Sequence, residues 1–176
     1  MNTQNKLVKE YMTDALLMLM ESKPYDTISV TEITKKAGVS RMAFYRNYEV
    51  KDDIIDNYFK ERLTDLTEHF DKEEHSHDEN LMDFLNLIRS SRKMLRILIA
   101  SNADYLIVRN YKTIIEQIIL DHYKLYHPSH IPFGYQMDFL VGGLLYVILS
   151  WAKKDSEGED SALEELFLNL ELFIQP

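Results

Sequence analysis

Residues that break helices are scarce in this chain. It has five glycines and four prolines in 176 residues, about 5% against a usual share of roughly 12%. A β-sandwich or barrel needs many tight turns, so the scarcity argues against an all-β fold. The glycines match neither GxGxxG nor GxxxxGK[ST]. A common nucleotide-binding enzyme is therefore not expected.

The composition is that of a chain that can bury a core in a reducing compartment. Hydrophobic residues make up 45% and cysteine is absent, which excludes a disulfide scaffold and fits a cytoplasmic location. The first 14 residues, MNTQNKLVKEYMTD, lack the apolar run of a signal peptide. The most apolar stretch, 139–152, has 14 residues, whereas a membrane-spanning helix needs about 20. We interpret it as a buried helix and expect no membrane partner.

Apolar side chains recur with a helical period along most of the chain, and no segment has the alternation of a strand. The pattern predicts an all-α fold of about nine helices. The loops with the strongest polar character are 71–80 and 155–161. The predicted helices are 4–22, 29–37, 41–47, 51–72, 81–90, 92–101, 104–126, 134–153 and 162–173.

Charge is distributed unevenly between the two ends of the chain. The formal net charge is −9, and all of it falls in residues 61–176, because acidic and basic side chains balance over 1–60. Within 35–51, five Lys or Arg residues stand against Glu49 alone. An acidic protein can bind a polyanion where its basic charge is concentrated. On charge alone, a solvated helix face is the better explanation of the run.

One segment near the N-terminus has the signals of two short helices joined by a tight turn. Ser29 and Glu32 form the S-x-x-E pattern of a capping box, which starts a helix. Gly38 follows that helix where a left-handed backbone is needed, and Ser40 can cap the next helix, 41–47. Two such helices with a glycine-containing turn form a helix-turn-helix.

The second of these helices carries side chains suited to DNA. Ile33, Ala37, Val39 and Phe44 are spaced to lock the two helices together. The outer face then holds Arg41, Met42, Tyr45 and Arg46. Arg41 suits bidentate contact with guanine, and Met42 suits apolar contact with a thymine methyl. Tyr45, Asn47 and Lys51 can donate to phosphate oxygens.

Residues 29–55, SVTEITKKAGVSRMAFYRNYEVKDDII, resemble the DNA-binding domain of the TetR/AcrR family of bacterial transcriptional regulators. The positions that match the family pattern are Val30, Ile33, Ala37, Gly38, Val39, Ser40, Phe44, Tyr45 and Lys51. The resemblance covers about the first 60 residues. Three positions depart from the pattern: Thr34 stands where alanine is usual, Asn47 replaces His or Tyr, and Val50 replaces a good helix cap.

The resemblance implies an all-α homodimer that binds a palindromic operator and represses transcription. It implies a helix-turn-helix domain, 1–50, and a helical domain, 51–176, for dimerisation and the binding of a small-molecule effector. Thr31, Arg41, Met42 and Ala43 would approach base edges, and Tyr45, Asn47 and Lys51 would hold the backbone. No cofactor is implied.

Aromatic residues are plentiful after residue 58, and two explanations of them stand open. They can line an effector pocket together with a few arginines, or they can be ordinary core. The residues proposed for an effector are Tyr58, Arg62, Arg89, Tyr105, Tyr111 and Phe139.

The last two predicted helices are more apolar than one buried face requires. We expect 135–153 and 162–173 to form a four-helix dimer interface, with a glycine allowing close approach. The alternative is that both helices complete the core of the monomer. The interface residues proposed are Phe139, Gly143, Leu144, Val147, Trp151, Leu166 and Leu170.

No arrangement of catalytic residues can be argued from the sequence, so an enzyme is not expected. His75 and His77 lie in a very polar loop, which is typical of a solvated hinge rather than of the ordered frame that a metal needs. Two other classes stay open beside the regulator. They are a coactivator or helical interaction protein that works through a protein partner, and a small helical enzyme.

Overall fold

A computed structural model describes residues 3–70, 77–122, 132–154 and 158–169 of the chain. The prediction of an all-α fold is confirmed, because these residues form nine α-helices, one 3₁₀ turn and no strand. The helices are α1 (Thr3–Met20), α2 (Val30–Ala37), α3 (Arg41–Asn47), α4 (Asp52–Phe70), α5 (His77–Ser90), α6 (Arg92–Ala100), α7 (Asp104–His122), α8 (Phe133–Lys153) and α9 (Glu159–Leu168).

Two helices begin earlier than the sequence predicts. The start of α5 was expected at Leu81, and the helix begins four residues before it. The polar composition of this segment favoured a loop, but Asn80 is buried and Leu81 is fully buried. The exposed Glu79 lies near the start of the helix, where its charge suits the positive end of the helix dipole.

The start of α9 was expected at Ala162, and the helix begins at Glu159. Asp160 explains the difference, because its carboxylate is held by two side chains from elsewhere in the fold. It accepts from the Trp151 indole Nε1 at 2.9 Å and from the Arg92 Nη1 at 3.2 Å. These contacts stabilise a first turn that the acidic sequence alone did not suggest.

Contacts divide the chain into two compact units, and each is described by itself. The first comprises Met1–Glu61 and Met94–Ile107, and the second comprises Arg62–Lys93 and Val108–Pro176. This division concerns packing. The functional division at residue 50 stays a prediction.

In the first unit, α1, α2 and α3 pack on one another. Ile33 and Phe44 are fully buried at their meeting point, together with Met12 and Leu16 of α1. Burial of each side chain of this size stabilises the folded protein by about 1.5–3 kcal/mol. The core therefore fixes the direction of α3.

In the second unit, α9 packs on α5 and on α8. The ring of Phe84 lies 6.0 Å from that of Tyr111 and 6.1 Å from that of Phe167. At the ends of the helices, Arg92 stacks on the indole of Trp151, with its guanidinium carbon 4.3 Å from the ring centre. The same guanidinium donates to the carbonyl oxygens of Trp151 and Lys154. Arg92 thus adds a donor to two carbonyls at the C-terminal end of α8, of which that of Trp151 also accepts from the Lys154 amide at 3.1 Å.

Candidate nucleic-acid interface

The start of α2 is fixed by the predicted capping box. The Glu32 amide donates to the Ser29 hydroxyl at 3.3 Å, and the Ser29 amide donates to the Glu32 carboxylate at 3.0 Å. Lys23 also pairs with Glu32. The hydrogen bond from Lys23 and those from Ser29 lower the pKa of Glu32 from 4.5 to about 2. The carboxylate is charged at neutral pH and holds the entry to the helix-turn-helix.

The turn between α2 and α3 requires glycine at its first position. Gly38 has φ +68°, a backbone conformation that other residues adopt with strain. Val39 then donates to the carbonyl of Thr34 at 3.0 Å. Ser40 caps α3 by accepting from the Ala43 amide at 3.1 Å. The whole turn follows the prediction.

The outer face of α3 is exposed and combines positive charge with an apolar tip. Met42 is 73% exposed, and Tyr45 is exposed beside it. The guanidinium carbon of Arg41 lies 5.9 Å from the centre of the Tyr45 ring, so the aromatic ring restrains the arginine. Arg46 is exposed at the end of the helix. The geometry brings these four predicted residues together on one surface.

The three smaller predicted DNA contacts differ in their surroundings. Thr31 is exposed in the first turn of α2, whereas Ala43 is half-buried on α3. The Asn47 side-chain nitrogen donates to the carbonyl of Ala43 at 2.8 Å. One of its two N–H groups is therefore used within the helix.

Lys51 points back into the protein rather than outward. Its ammonium donates to the carbonyl oxygen of Tyr25 at 2.6 Å and to that of Ile28 at 3.0 Å. Burial lowers its pKa. Two of its three N–H groups thus hold the loop that leads into α2. Nothing in the sequence signalled this contact, because the loop before α2 is positioned by tertiary packing.

The first turn of α4 is capped from inside the helix. The carboxylate of Asp53 accepts from the amides of Glu49 at 2.7 Å and Val50 at 3.0 Å. It compensates for the weak cap expected at Val50. Asp52 accepts from two tyrosines, the hydroxyl of Tyr25 at 2.6 Å and that of Tyr105 at 2.9 Å.

The residues proposed for an effector are divided between the two units. Tyr58 and Tyr105 belong to the first unit, and the other four belong to the second. The Arg89 Nη2 donates to the carboxylate of Glu164 at 2.6 Å and to the carbonyl of Asp160 at 2.9 Å. Tyr111 is fully buried. Tyr111 therefore belongs to the core and Arg89 to a partly exposed ion pair. The six residues remain a prediction for ligand binding.

The residues proposed for the dimer interface fall into two groups. Phe139 and Gly143 are exposed on α8, and Val147 and Leu166 are half-buried. Leu144 and Trp151 are each only 3% exposed and already belong to the core of the second unit. Leu170 lies outside the described residues, as does His75.

A stripe of exposed apolar side chains runs along α8, and the sequence analysis recognised only part of it. Tyr135 is 70% exposed, Phe139 81% and Tyr146 74%. Gly142 and Gly143 lie on the same stripe, and a Cβ added to either would meet nothing within 4 Å. Tyr135, Phe139, Gly142 and Tyr146 are separated by four, three and four residues, a spacing that places them on one helix face. This spacing was the sequence signal that could have revealed the whole stripe.

The length of α8 exceeds what the apolar run of 14 residues suggested. The helix has 21 residues, with mean hydropathy 1.3 over its most apolar window, of which 28% is buried. By length and composition alone it is long enough to cross a membrane. In the second unit α8 packs against α9, and seven of its residues are buried. Among the described residues, no three His, Asp or Glu side chains form a group that could hold a metal.

The comparison with protein families identifies the part of the chain that contains the helix-turn-helix. The model described as "Bacterial regulatory proteins, tetR family" matches residues 13–58. The N-terminal domain belongs to the tetR family. The resemblance found in residues 29–55 is confirmed, and the domain is that of a DNA-binding regulator.

Solved structures extend the tetR-like fold to nearly the whole chain. Lin0861 from Listeria innocua is 16% identical with a TM-score of 0.73, over 99% of this chain and 94% of that one. A TetR transcriptional regulator from Streptococcus agalactiae is 19% identical with a TM-score of 0.69, over 95% and 94%. The dihydroxyacetone kinase operon activator DhaS is 18% identical with a TM-score of 0.52, over 95% and 93%. Among curated proteins, none matches the chain by sequence.

Proposed function

We propose that this tetR-type protein is a homodimeric transcriptional repressor that acts in the cytoplasm on a palindromic operator. A small-molecule effector bound by the helices after residue 51 releases it from DNA. The observation that carries the proposal is the outer face of α3, where Arg41, Met42, Tyr45 and Arg46 are exposed together. The protein acts by binding, not by catalysis.

The dimensions of α3 favour contact with base edges from its first residues. The helix has seven residues, about 10 Å at 1.5 Å per residue, so it can cross one major groove but cannot follow it. Arg41 is at its N-terminus, where a recognition helix meets the bases. Arg46 and Tyr45, further along, are placed for phosphates. Thr31, Ala43, Asn47 and Lys51 complete the proposed DNA contacts.

The exposed stripe on α8 supports the homodimer. A soluble monomer rarely exposes a continuous run of large apolar side chains, so the face of Phe139 and Tyr146 needs a cover. The open space over Gly142 and Gly143 allows a second helix to approach closely. We assign this cover to the same stripe of a second copy, because a two-fold axis pairs identical surfaces. Asp138 and Lys153, both exposed on this helix, disfavour a lipid cover.

The effector part of the proposal places the ligand in the second unit. A cleft there has a volume of about 350 Å³, within the range of about 300–1,000 Å³ that small-molecule sites occupy. It lies between α8 and α9 and is lined in part by Trp151, Ser150 and Lys154. An effector changes DNA affinity only if it prefers one of two states of the protein.

The test is a gel shift with the full chain on the DNA upstream of its own gene. We expect one discrete complex with a dimer of the chain, and competition by unlabelled upstream DNA but not by a scrambled duplex. A reporter placed under the same DNA should be less active when the protein is present. Equal competition by both duplexes would contradict a sequence-specific regulator.

An activating role is the second candidate. DhaS, whose printed name is that of an operator activator, shares the fold over 93% of its length. If this chain acts in the same sense, the reporter rises when the protein is present. A coactivator that works only through a protein partner would not bind the upstream DNA alone. The gel shift and the reporter together separate these outcomes from repression.

A further inference from the structure

The cleft between α8 and α9 shares part of its surface with the exposed stripe of α8. The cleft is lined in part by Tyr146, which is exposed and belongs to the stripe. Three further lining residues, Val147, Trp151 and Leu166, are proposed for the dimer interface. A ligand in this cleft and a second copy on this face therefore cover the same residues.

The cleft has the space and the surface for an aromatic ring. A closed cavity of roughly 150 Å³ is large enough to bind benzene, so one ring fits a cleft of about 350 Å³. The indole Nε1 of Trp151 donates to Asp160 at 2.9 Å, so the polar group of the tryptophan is already bonded. On the α9 wall, Ala162 has only a methyl group for a side chain and leaves space that a ring can fill.

Two-fold symmetry about the glycine pair of α8 brings a ring to this cleft. Space is open at Gly142 and Gly143, where two copies of the helix can approach most closely. Phe139 stands three residues before Gly142, and Tyr146 stands three residues after Gly143. An axis between the two glycines therefore places the exposed Phe139 of one copy beside Tyr146 of the other. Tyr146 is the first residue along α8 that lines the cleft.

We infer that the cleft between α8 and α9 binds the side chain of Phe139 from a second copy, so that an effector in the cleft and the second subunit exclude each other. The inference rests on the proposed function and names its regulation: the effector releases DNA by separating the subunits. A separated subunit carries one helix-turn-helix, whereas an operator with two half-sites is read by a dimer. Phe139 is proposed both for the effector and for the interface, and this arrangement accounts for both assignments.

Mutual exclusion has a quantitative consequence for both binding events. If a ligand weakens the dimer by some factor, the dimer weakens ligand binding by the same factor. The apparent affinity for the ligand then falls as the protein concentration rises. A ligand that binds monomer and dimer equally shows no such dependence.

The first experiment fills the cleft from within. Ala162→Phe in the full chain adds a ring to the α9 wall, and Ser161→Phe adds the same ring at the neighbouring exposed position, outside the cleft lining. Sedimentation equilibrium at micromolar protein gives the mass, and circular dichroism checks the helix content. We expect Ala162→Phe to weaken the dimer by at least about tenfold and to give a folded monomer. Ser161→Phe should remain a dimer.

The second experiment uses the fluorescent probe anilinonaphthalene sulfonate, whose aromatic rings stand in for those of an effector. Trp151 is the one tryptophan of the chain and lines the cleft, so energy transfer from it to the probe reports occupancy. In the unmodified chain, saturating probe should convert the dimer to a monomer, and the apparent affinity for the probe should fall as the protein concentration rises.

Two variants and a control assign the probe to the cleft. Phe139→Ala removes the ring that fills the cleft, so it should bind the probe at least about tenfold more tightly than the unmodified chain at the same micromolar concentration. Leu120→Ala shortens an exposed residue of α7 and should bind the probe as the unmodified chain does. Ala162→Phe should lose the energy transfer, which separates a probe in the cleft from a probe on the stripe.

The outcomes distinguish this inference from the proposed function. If the unmodified chain is a dimer and Ala162→Phe is a folded dimer as well, the contact of Phe139 with the cleft is overturned and the homodimer stands. Energy transfer to a probe on an intact dimer, or a Phe139→Ala variant that binds the probe no more tightly, would also overturn it. If Ala162→Phe unfolds, these two probe measurements decide. If the unmodified chain is a monomer at micromolar concentration, the homodimer and this inference fail together.

Discussion

The ammonium of Lys51 lies 2.6 Å from the carbonyl oxygen of Tyr25 and 4.2 Å from the centre of its ring. Lys51 precedes α4, and Tyr25 precedes α2, so the lysine ties the start of one helix to the loop before another. The tyrosine hydroxyl in turn donates to Asp52, the first residue of α4. A residue predicted only as a phosphate contact is therefore also part of the frame that holds the helix-turn-helix.

Replacing Lys51 by methionine should affect both stability and DNA binding. Loss of two hydrogen bonds from a charged donor should lower the free energy of unfolding by about 1–3 kcal/mol, measured by urea titration. If the third N–H contacts a phosphate, binding to all duplexes weakens and the salt slope falls by about one. Lys153→Met, an exposed lysine of the second unit, is the matched control. Lower stability with an unchanged salt slope would contradict the phosphate contact.

Arg41→Ala should change sequence preference rather than general affinity. A bidentate contact with guanine contributes about 1–3 kcal/mol of discrimination, so the variant should lose that much on the operator and tolerate other bases at one position. Arg41→Lys keeps the charge but not the planar fork and should lose the preference as well. Competition between the operator and its single-base variants measures both. A preference that survives in Arg41→Ala would show that this residue does not read a base.

The pairing of Glu32 predicts how stability depends on pH. Its pKa is about 2 in the folded chain and 4.5 ordinarily, so the folded state favours the charged form. The stabilisation is complete above about pH 4.5 and is lost as the pH falls towards 2. Glu32→Gln should remove this part of the pH dependence, as measured by unfolding at pH 2 to 6. If the free energy of unfolding of the variant depends on pH as strongly as that of the unmodified chain, groups other than Glu32 cause the loss of stability in acid.

The dimer is tested on the exposed stripe of α8. Phe139→Glu combined with Tyr146→Glu places two charges on the proposed interface, where a second copy would bury them without partners. We expect a folded monomer by sedimentation equilibrium at micromolar concentration, with weakened operator binding. Met18→Glu changes an exposed apolar residue outside the stripe and should remain a dimer. A double variant that sediments as a dimer would exclude this face.

Leu144 separates the interface from the core. Because it is only 3% exposed within the subunit, Leu144→Asp should bury a charge in the second unit and unfold it, rather than give the well-folded monomer that the sequence analysis would expect. Circular dichroism and sedimentation distinguish the two results. Retained helix content with a monomer mass would restore Leu144 to the interface.

The features of the first unit that are local in sequence could be predicted. The Ser29–Glu32 box, the left-handed Gly38 and the Ser40 cap each depend on residues within four positions of one another. These local signals predict where α2 begins and ends and where α3 begins, without any knowledge of tertiary contacts. The outer face of α3 followed, since burial of Phe44 determines which side chains point away from the core.

The features that the sequence did not predict depend on distant residues. The early start of α9 relies on contacts between Asp160 and Arg92, which are 68 positions apart. The inward direction of Lys51 relies on a carbonyl 26 positions before it. Apolar periodicity identified α8 as a helix with more large apolar side chains than one buried face requires. It could not distinguish Leu144, which packs inside the subunit, from Phe139, which is exposed.

Footprinting of the DNA upstream of the gene tests the central claim most directly. A dimer of helix-turn-helix domains should protect two related half-sites about 34–36 Å apart, or a multiple of that distance, on one face of the duplex. Arg41→Ala should abolish the protected pattern at concentrations where the unmodified chain produces it. Uniform protection along the fragment, or none at saturating protein, would contradict a dimeric regulator that reads its operator through α3.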